Sequence, residues 1–369
     1  MVKPCGTVTA WRALTHVGLG LCLLLLPPLT LAAPLWSERP ATDETIPALQ
    51  QLNASLVTLT QKLLPAVVSL KVHTKKDADT ALPKNHPPIP DDEMRSATGS
   101  GFIIRADGLV LTNNHVIEES TSIDVHLYDG ETTTATVLGR DPLGDVALLQ
   151  LATKRPLPVM PLGSSAATHI GELVVAIGSP FGFEHTITLG IVSGKKRQFL
   201  QRAGLVGGYL QTDAPLTTGN SGGPLVNMRG EVVGMNTAII GRGEVGLAVP
   251  IDAIKEIVLQ LHAAGRMTRG WLGVQIRPLD RAKAVALGLE APQGVYVHEV
   301  MPAQPAHQAG IVAGDVIVSF DGKTVATPAD LQGAVASTPV GKKVRVELLR
   351  SRARRTVEVT LVAMPERKE

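Results

Sequence analysis

One serine sits among glycines in the stretch TDAPLTTGNSGGPLVN, residues 212–227. Ser221 is flanked by Gly219, Gly222 and Gly223, with Gly230 past the next apolar run. A hydroxyl is a weak nucleophile on its own and needs an adjacent base, which needs an orienting carboxylate. It also needs donors aimed at the charge that develops during acyl transfer. The glycines suit that chemistry. Gly219 lets the backbone turn so that its N–H and that of Ser221 converge on one point, and a Cβ at Gly222 or Gly223 would crowd a substrate. Of the ten histidines, His115 stands out, because VLTNNHVI places it where an apolar strand ends and the chain turns. Asp145 opens the apolar strand of DPLGDVALLQL, an odd place for a charge unless it is paired. The three residues occur in the order His, Asp, Ser.

That order is the one found in chymotrypsin-type triads. GNSGG also satisfies G-x-S-x-G, the strand-to-helix nucleophile elbow of α/β-hydrolases. The elbow needs a hydrophobic strand before it and its acid and histidine after it. Here APLTT precedes, and there is no alternating strand-helix pattern. A flexible glycine linker is a poor reading as well, since apolar PLVN follows at once. The remaining histidines show no paired ligand spacing and H-E-x-x-H is absent, so neither a metal nor a cofactor is expected.

The elements that must position these residues are short strands. GFIIRADGLVLT and SIDVHLYDGETTTATVLG each read as a hairpin around Asp-Gly, at 107–108 and 129–130. DVALLQL, LVVAIG, TITLGIVS, PLVN, EVVGMNT and VGLAVP continue the series, which argues for barrels or a sandwich. Ile251, Ile254, Ile257, Val258 and Leu261 share one helical face, and Gly265 is placed to stop that helix. A smaller α+β unit starts near Arg269, with strands at 294–298 and 315–320 and a turn at Asp321-Gly322. A helix follows, with Thr327 as N-cap, Pro328 at N1 and Asp330 at N3. The unit closes with strands at 343–349 and 355–362. No short-period repeat is visible.

The chain has 369 residues, 44% hydrophobic and 18% charged, with a formal net charge of +2. Lys3 and Arg12 are the only charges before Glu38, and no nucleic-acid surface is indicated. RSRARR (350–355), the one basic cluster, reads as a solvated hairpin turn. Both cysteines, Cys5 and Cys22, lie in the leader, so disulfides and a thiol nucleophile are excluded for the body. Residues 1–33 read as an export signal with an apolar run at 13–26. An uncleaved membrane anchor is the other reading, since residues 13–37 lack charge, although Pro27-Pro28 would break such a helix. Residues 34–61 form a linker or oligomerisation segment, polar at first and then weakly helical. ALPKNHPPIPDDEM (81–94) reads as a Pro-rich loop.

TNNHVI, DPLGDVALLQL, GSPFG, LGIVSG, QTDAPLTTGNSGGPLVN and RGWLGV together resemble the HtrA (Deg) family of serine proteases. The resemblance covers residues 62–363 and implies a mostly β fold. A chymotrypsin-like double β-barrel would occupy 62–265, one PDZ domain 269–363 and a tail 364–369. With one PDZ unit and an apolar N-terminus, the chain looks closer to the DegS type than to the two-PDZ DegP type. The resemblance implies His115 as base, Asp145 as orienting acid, Ser221 as nucleophile and the N–H groups of Gly219 and Ser221 as oxyanion donors. It implies an apolar S1 pocket lined by Leu216, Thr237 and Ile239, fitting cleavage after Val, Ile or Ala. It implies a peptide carboxylate site at Leu272, Gly273 and Val274, beside Trp271, for which ordinary packing is the alternative. It further implies a homotrimer, a periplasmic location, and action on misfolded or regulatory proteins. A regulatory loop would span 194–208, with Arg197 at the sensor offset. A lysine or Arg202 could take that part, or the loop could be solvated with no role. A PDZ-containing holdase with an idle protease site is the competing function.

Overall fold

The computed structural model describes residues 46–74, 96–179, 185–197, 208–217, 219–240, 245–286 and 288–365. The leader with both cysteines, the 81–94 loop, the end of GSPFG, Thr218 and Arg202 lie outside the described residues. Helix α1 (Pro47–Leu63) leads into a single 3-10 turn, and its Leu56, Leu59 and Leu63 pack on the protein core. No helix among the described residues is long and apolar enough to cross a membrane.

Six strands follow: β1 (Val67–Thr74), β2 (Ser96–Arg105), β3 (Leu109–Thr112), β4 (Ser120–His126), β5 (Thr132–Asp141) and β6 (Val146–Leu151). They close into a barrel in the order β1-β2-β3-β6-β5-β4, with the short helix α2 (Asn114–Ile117) after β3. The next six are β7 (Leu173–Gly178), β8 (Thr186–Arg197), β9 (Tyr209–Thr212), β10 (Pro224–Asn227), β11 (Val232–Ile240) and β12 (Val245–Pro250). They close a second barrel, β10-β11-β12-β9-β8-β7. Taken from β7, this is the order of the first barrel, so the fold repeats a topology that the residues do not. β8 runs on through Gly194–Arg197, which corrects the expected start of a loop at 194: register pairs with β9 extend to Arg197 opposite Tyr209.

The strands that looked like unbroken apolar runs are buried on both faces, as expected for strands with packing on either side. In β6, Val146 and Leu148 face the seam between the barrels, while Ala147, Leu149 and Leu151 fill the first barrel. In β7, Val175 and Ile177 face the seam, and Val174 and Ala176 fill the second barrel. Helix α3 (Ile251–Ala264) covers this seam with Ile251, Ile254, Ile257 and Leu261. It ends where Gly265 takes φ +70° and returns its N–H to Leu261 O.

The smaller unit comprises β13 (Gly270–Trp271), β14 (Val274–Pro278), α4 (Arg281–Ala286), β15 (Val295–Val300), α5 (Pro305–Gln308), β16 (Val316–Phe320) and β17 (Lys323–Thr324). It ends with α6 (Pro328–Ala336), β18 (Lys343–Arg350), β19 (Ala353–Thr360) and β20 (Val362–Ala363). α6 starts with the expected capping box between Thr327 and Asp330. The RSRARR turn departs from a purely solvated reading: Arg350 pairs in two places with Asp315, which is fully buried. Asp141 of β5 and Arg269, just before β13, form a buried bidentate ion pair at 2.7 and 2.5 Å. Neither stands out in the sequence.

Candidate active site

Strands β3 and β6 lie side by side with Thr112 opposite Ala147, so residues just beyond them must meet. His115 leaves the end of β3 on α2, and Asp145 stands immediately before β6. Asp145 holds φ +56°, a left-handed conformation that Asp and Asn tolerate better than most residues. Asn113 fixes this corner by donating its side-chain amide to Asp145 O at 2.9 Å.

The Asp145 carboxylate is 1% exposed and surrounded by donors. It accepts from the His115 backbone N–H at 3.0 Å and from His115 Nδ1 at 3.0 and 2.9 Å. Thr237 Oγ1 donates to it as well. Burial pushes the carboxyl's pKa up, but the His115 and Thr237 hydrogen bonds and the nearby imidazole outweigh it. The group is held below the ordinary aspartate range. An ionised carboxylate can only accept, so it places the ring proton of His115 on Nδ1. That leaves Nε2 free to take a proton.

The same Thr237 links acid to nucleophile. Its backbone carbonyl accepts from Ser221 Oγ at 3.4 Å. No His115–Ser221 hydrogen bond is present among the described residues. The sequence reading puts Thr237 in the S1 wall; the structure gives its hydroxyl to Asp145. Leu216 is buried inside the second barrel beside Gly246, and Ile239 is exposed on β11.

Around Ser221 most backbone N–H groups are taken. Asn220 N–H goes to Thr217 O, Gly222 N–H to Asn236 O and Gly223 N–H to Asn220 O. Among the described residues no acceptor takes the N–H of Gly219 or Ser221. Gly219 has φ +97° and Gly222 φ +84°. A Cβ on Gly222 would overlap Ser100 O and Thr112 Oγ1, so the nucleophile loop lies directly on the first barrel. Ser100, which sequence reasoning misses, touches this loop at two points. Its only sequence signal is a polar residue between Gly99 and Gly101 at the head of an apolar strand. A histidine oriented by a buried carboxylate, a nearby hydroxyl and two N–H groups with no acceptor among the described residues are parts that acyl transfer uses.

In the smaller unit, Leu272, Gly273, Val274, Ile276, Leu331 and Val335 line a groove between β14 and α6. Gly273 has φ +78°, and the carbonyls of Leu272 and Gly273 are held by the N–H groups of Ala306 and Met301. Trp271 also lines it and donates Nε1–H to Gln304 at 3.0 Å, so it is tied down as well as placed at the groove. Lys195, one of the alternatives to Arg197, is held by the carbonyls of Ala166 and Thr168.

Residues 99–235 match the trypsin-like peptidase domain, and residues 270–361 match the PDZ domain. A DegP-like periplasmic serine endoprotease of Ectopseudomonas mendocina is 38% identical over 92% of this chain and 75% of its own length. Its counterpart in Pseudomonas fluorescens is 42% identical over 82% of this chain and 64% of its own length. The chain thus spans less than two thirds of some curated relatives it matches. Among solved structures, the HtrA-type protease AlgW with a tripeptide superposes with TM-score 0.74 at 33% identity. The overlap covers 84% of this chain and 98% of that one. A serine endoprotease of Yersinia pestis gives 0.65 at 31% identity, over 84% and 98%.

Proposed function

The chain belongs to the HtrA-type, DegP-like serine endoproteases, and from that premise we propose that it cleaves unfolded or regulatory proteins of the cell envelope through His115, Asp145 and Ser221. The observation that carries this reading is the network around Asp145. One buried, ionised carboxylate fixes the His115 tautomer and, through Thr237, stands two hydrogen bonds from the Ser221 hydroxyl.

Catalysis starts when the Ser221 hydroxyl turns from Thr237 O towards His115 Nε2. As Oγ attacks the scissile carbonyl, its proton passes to Nε2, and Asp145 stabilises the imidazolium. The oxyanion is received by the N–H groups of Gly219 and Ser221. The C–N bond then breaks, His115 returns the proton to the leaving amine, and an acyl group remains on Ser221. Water, deprotonated by His115, releases the acid and restores the hydroxyl. Leu216, Thr237 and Ile239 remain candidates for the S1 wall, with cleavage after small apolar residues.

The PDZ groove is read as a site for a C-terminal peptide, added beside β14 with its carboxylate at Leu272–Val274. Its apolar lining favours an apolar last residue. The relatives' names support a periplasmic location, and Arg197 remains a candidate contact for groove-dependent regulation.

The test is cleavage of an unfolded protein by the chain lacking residues 1–33, with and without peptides ending in apolar residues, beside Ser221→Ala. Cleavage that the variant lacks supports the triad. Substantial cleavage by Ser221→Ala overturns it. Binding of unfolded protein with no cleavage under any condition would favour the holdase reading.

A further inference from the structure

We propose that Ser100 is a positioning residue for catalysis, its hydroxyl anchoring the Gly219 carbonyl and through it the backbone conformation of Gly219, on which the aim of the Gly219 N–H at the reacting carbonyl depends. The proposal rests on the triad reading above. Ser100 is fully buried at the head of the first barrel. Its Oγ donates to Gly219 O at 2.6 Å and accepts the Ser179 N–H at 2.7 Å. Its own N–H donates to Ser221 O at 2.9 Å, and its carbonyl accepts from Thr112 Oγ1 at 2.8 Å. One residue of the first barrel therefore grips the nucleophile loop on both sides of Asn220, and Thr112 braces it three residues before His115.

The reason a grip is needed lies in Gly219. With no Cβ, glycine exchanges between left- and right-handed conformations at little steric cost. Nothing intrinsic to Gly219 keeps φ at +97°, so its conformation must be restrained from outside, beginning with the 219–220 peptide that follows it. Two hydrogen bonds restrain that peptide. Ser100 holds the carbonyl end of the 219–220 peptide, and Thr217 O holds the Asn220 N–H at 3.1 Å. Removing the first frees one end of the clamp. It also leaves the Gly219 carbonyl and the Ser179 N–H short of a partner in a dry site, which gives the loop a motive to rearrange. Direct loss of an oxyanion donor costs on the order of 10²–10³ in rate. Misaiming one through Ser100 is expected to cost about 10- to 100-fold.

The experiment compares Ser100→Ala, Ser100→Cys and Ser221→Ala in the protein lacking residues 1–33, with an apolar-ended peptide saturating the groove. A fluorogenic valine peptide gives kcat and KM. A valine peptide boronate, whose tetrahedral adduct places an oxygen in the oxyanion site, gives affinity for a transition-state mimic. The expected result for Ser100→Ala is a 10- to 100-fold lower kcat, KM within twofold, and boronate affinity reduced by the same factor as kcat. Ser100→Cys, of nearly the same shape but a weaker donor, should fall between. The change in tryptophan fluorescence on peptide binding, to which Trp36 and Trp271 contribute, should be unchanged in both. A kcat within twofold of the parent overturns the proposal, as does a loss shared equally by KM and peptide binding. If both Ser100 variants fail to fold, Ser100 serves folding, and the proposal falls too. If Ser221→Ala remains active, the triad reading fails, independently of Ser100.

Discussion

Replacing Asp145 by Asn tests the triad at the atom that sets the histidine's proton. The exchange keeps volume, and Asn tolerates the φ of +56° held there. The backbone should therefore stay in place. What changes is polarity on one side of the group. The carboxylate now accepts from His115 N–H, His115 Nδ1 and Thr237 Oγ1. An amide has one oxygen and one NH2. If the oxygen keeps the His115 N–H, the NH2 occupies the position between Nδ1 and Thr237, where it must donate. Thr237 can adapt, because a hydroxyl both donates and accepts. His115 adapts only by moving its ring proton to Nε2, the atom that has to receive the Ser221 proton. The same change in chymotrypsin-type triads costs about 10⁴ in kcat, close to 5.5 kcal/mol of transition-state stabilisation at 1.36 kcal/mol per tenfold. The assay is kcat at pH 7.5 on an unfolded protein, with the melting temperature as a check on the fold. A folded Asp145→Asn protein that keeps more than about a tenth of the parent's kcat would refute the tautomer argument.

Gly222→Ala should lose about 100-fold or more in kcat. The new Cβ meets Ser100 O and Thr112 Oγ1 at a positive φ, and a displacement near 1 Å at the nucleophile costs about 10²-fold; parent-like turnover would contradict the close contact between the nucleophile loop and the first barrel. Asp141→Ala leaves the Arg269 guanidinium buried without its carboxylate and should destabilise by about 3–5 kcal/mol, whereas Asp141→Leu with Arg269→Met should lie near the parent. Denaturant titration followed by tryptophan fluorescence checks the pair, and equal effects of the single and double changes would refute it. Asp145 also predicts an acid limb. Its folded pKa lies below its unfolded value, so its contribution to stability is present above about pH 4 and is lost as pH falls through the lowered folded pKa. Melting curves between pH 2.5 and 6 should therefore be flatter for Asp145→Asn than for the parent, and parallel curves would count against the assignment.

Resemblance to relatives and the local rules of the chain made most of the fold legible. Asp-Gly turns, the Gly265 stop and the Thr327–Asp330 capping box each depend on a few neighbouring residues, and each appears in the structure where the residues put it. Apolar runs in β6 and β7 announced burial without saying which residue faces which core, because a strand packed on both sides shows no alternation. β8 outran its expected end because pairing with β9, and not local propensity, decides where a strand stops.

What the sequence determined by itself is the chemistry available: one serine in a glycine-stripped loop, one histidine at a strand end, one acid out of place before an apolar run. What only the tertiary structure decided is which side chains hold those groups in line. Thr237 meets Asp145 across 92 residues, Ser100 meets Gly219 across 119, and Arg269 meets Asp141 across 128. A threonine, a serine and an ion pair carry no local mark of such roles, since their partners are set by how two barrels of the same topology and a third unit close against one another.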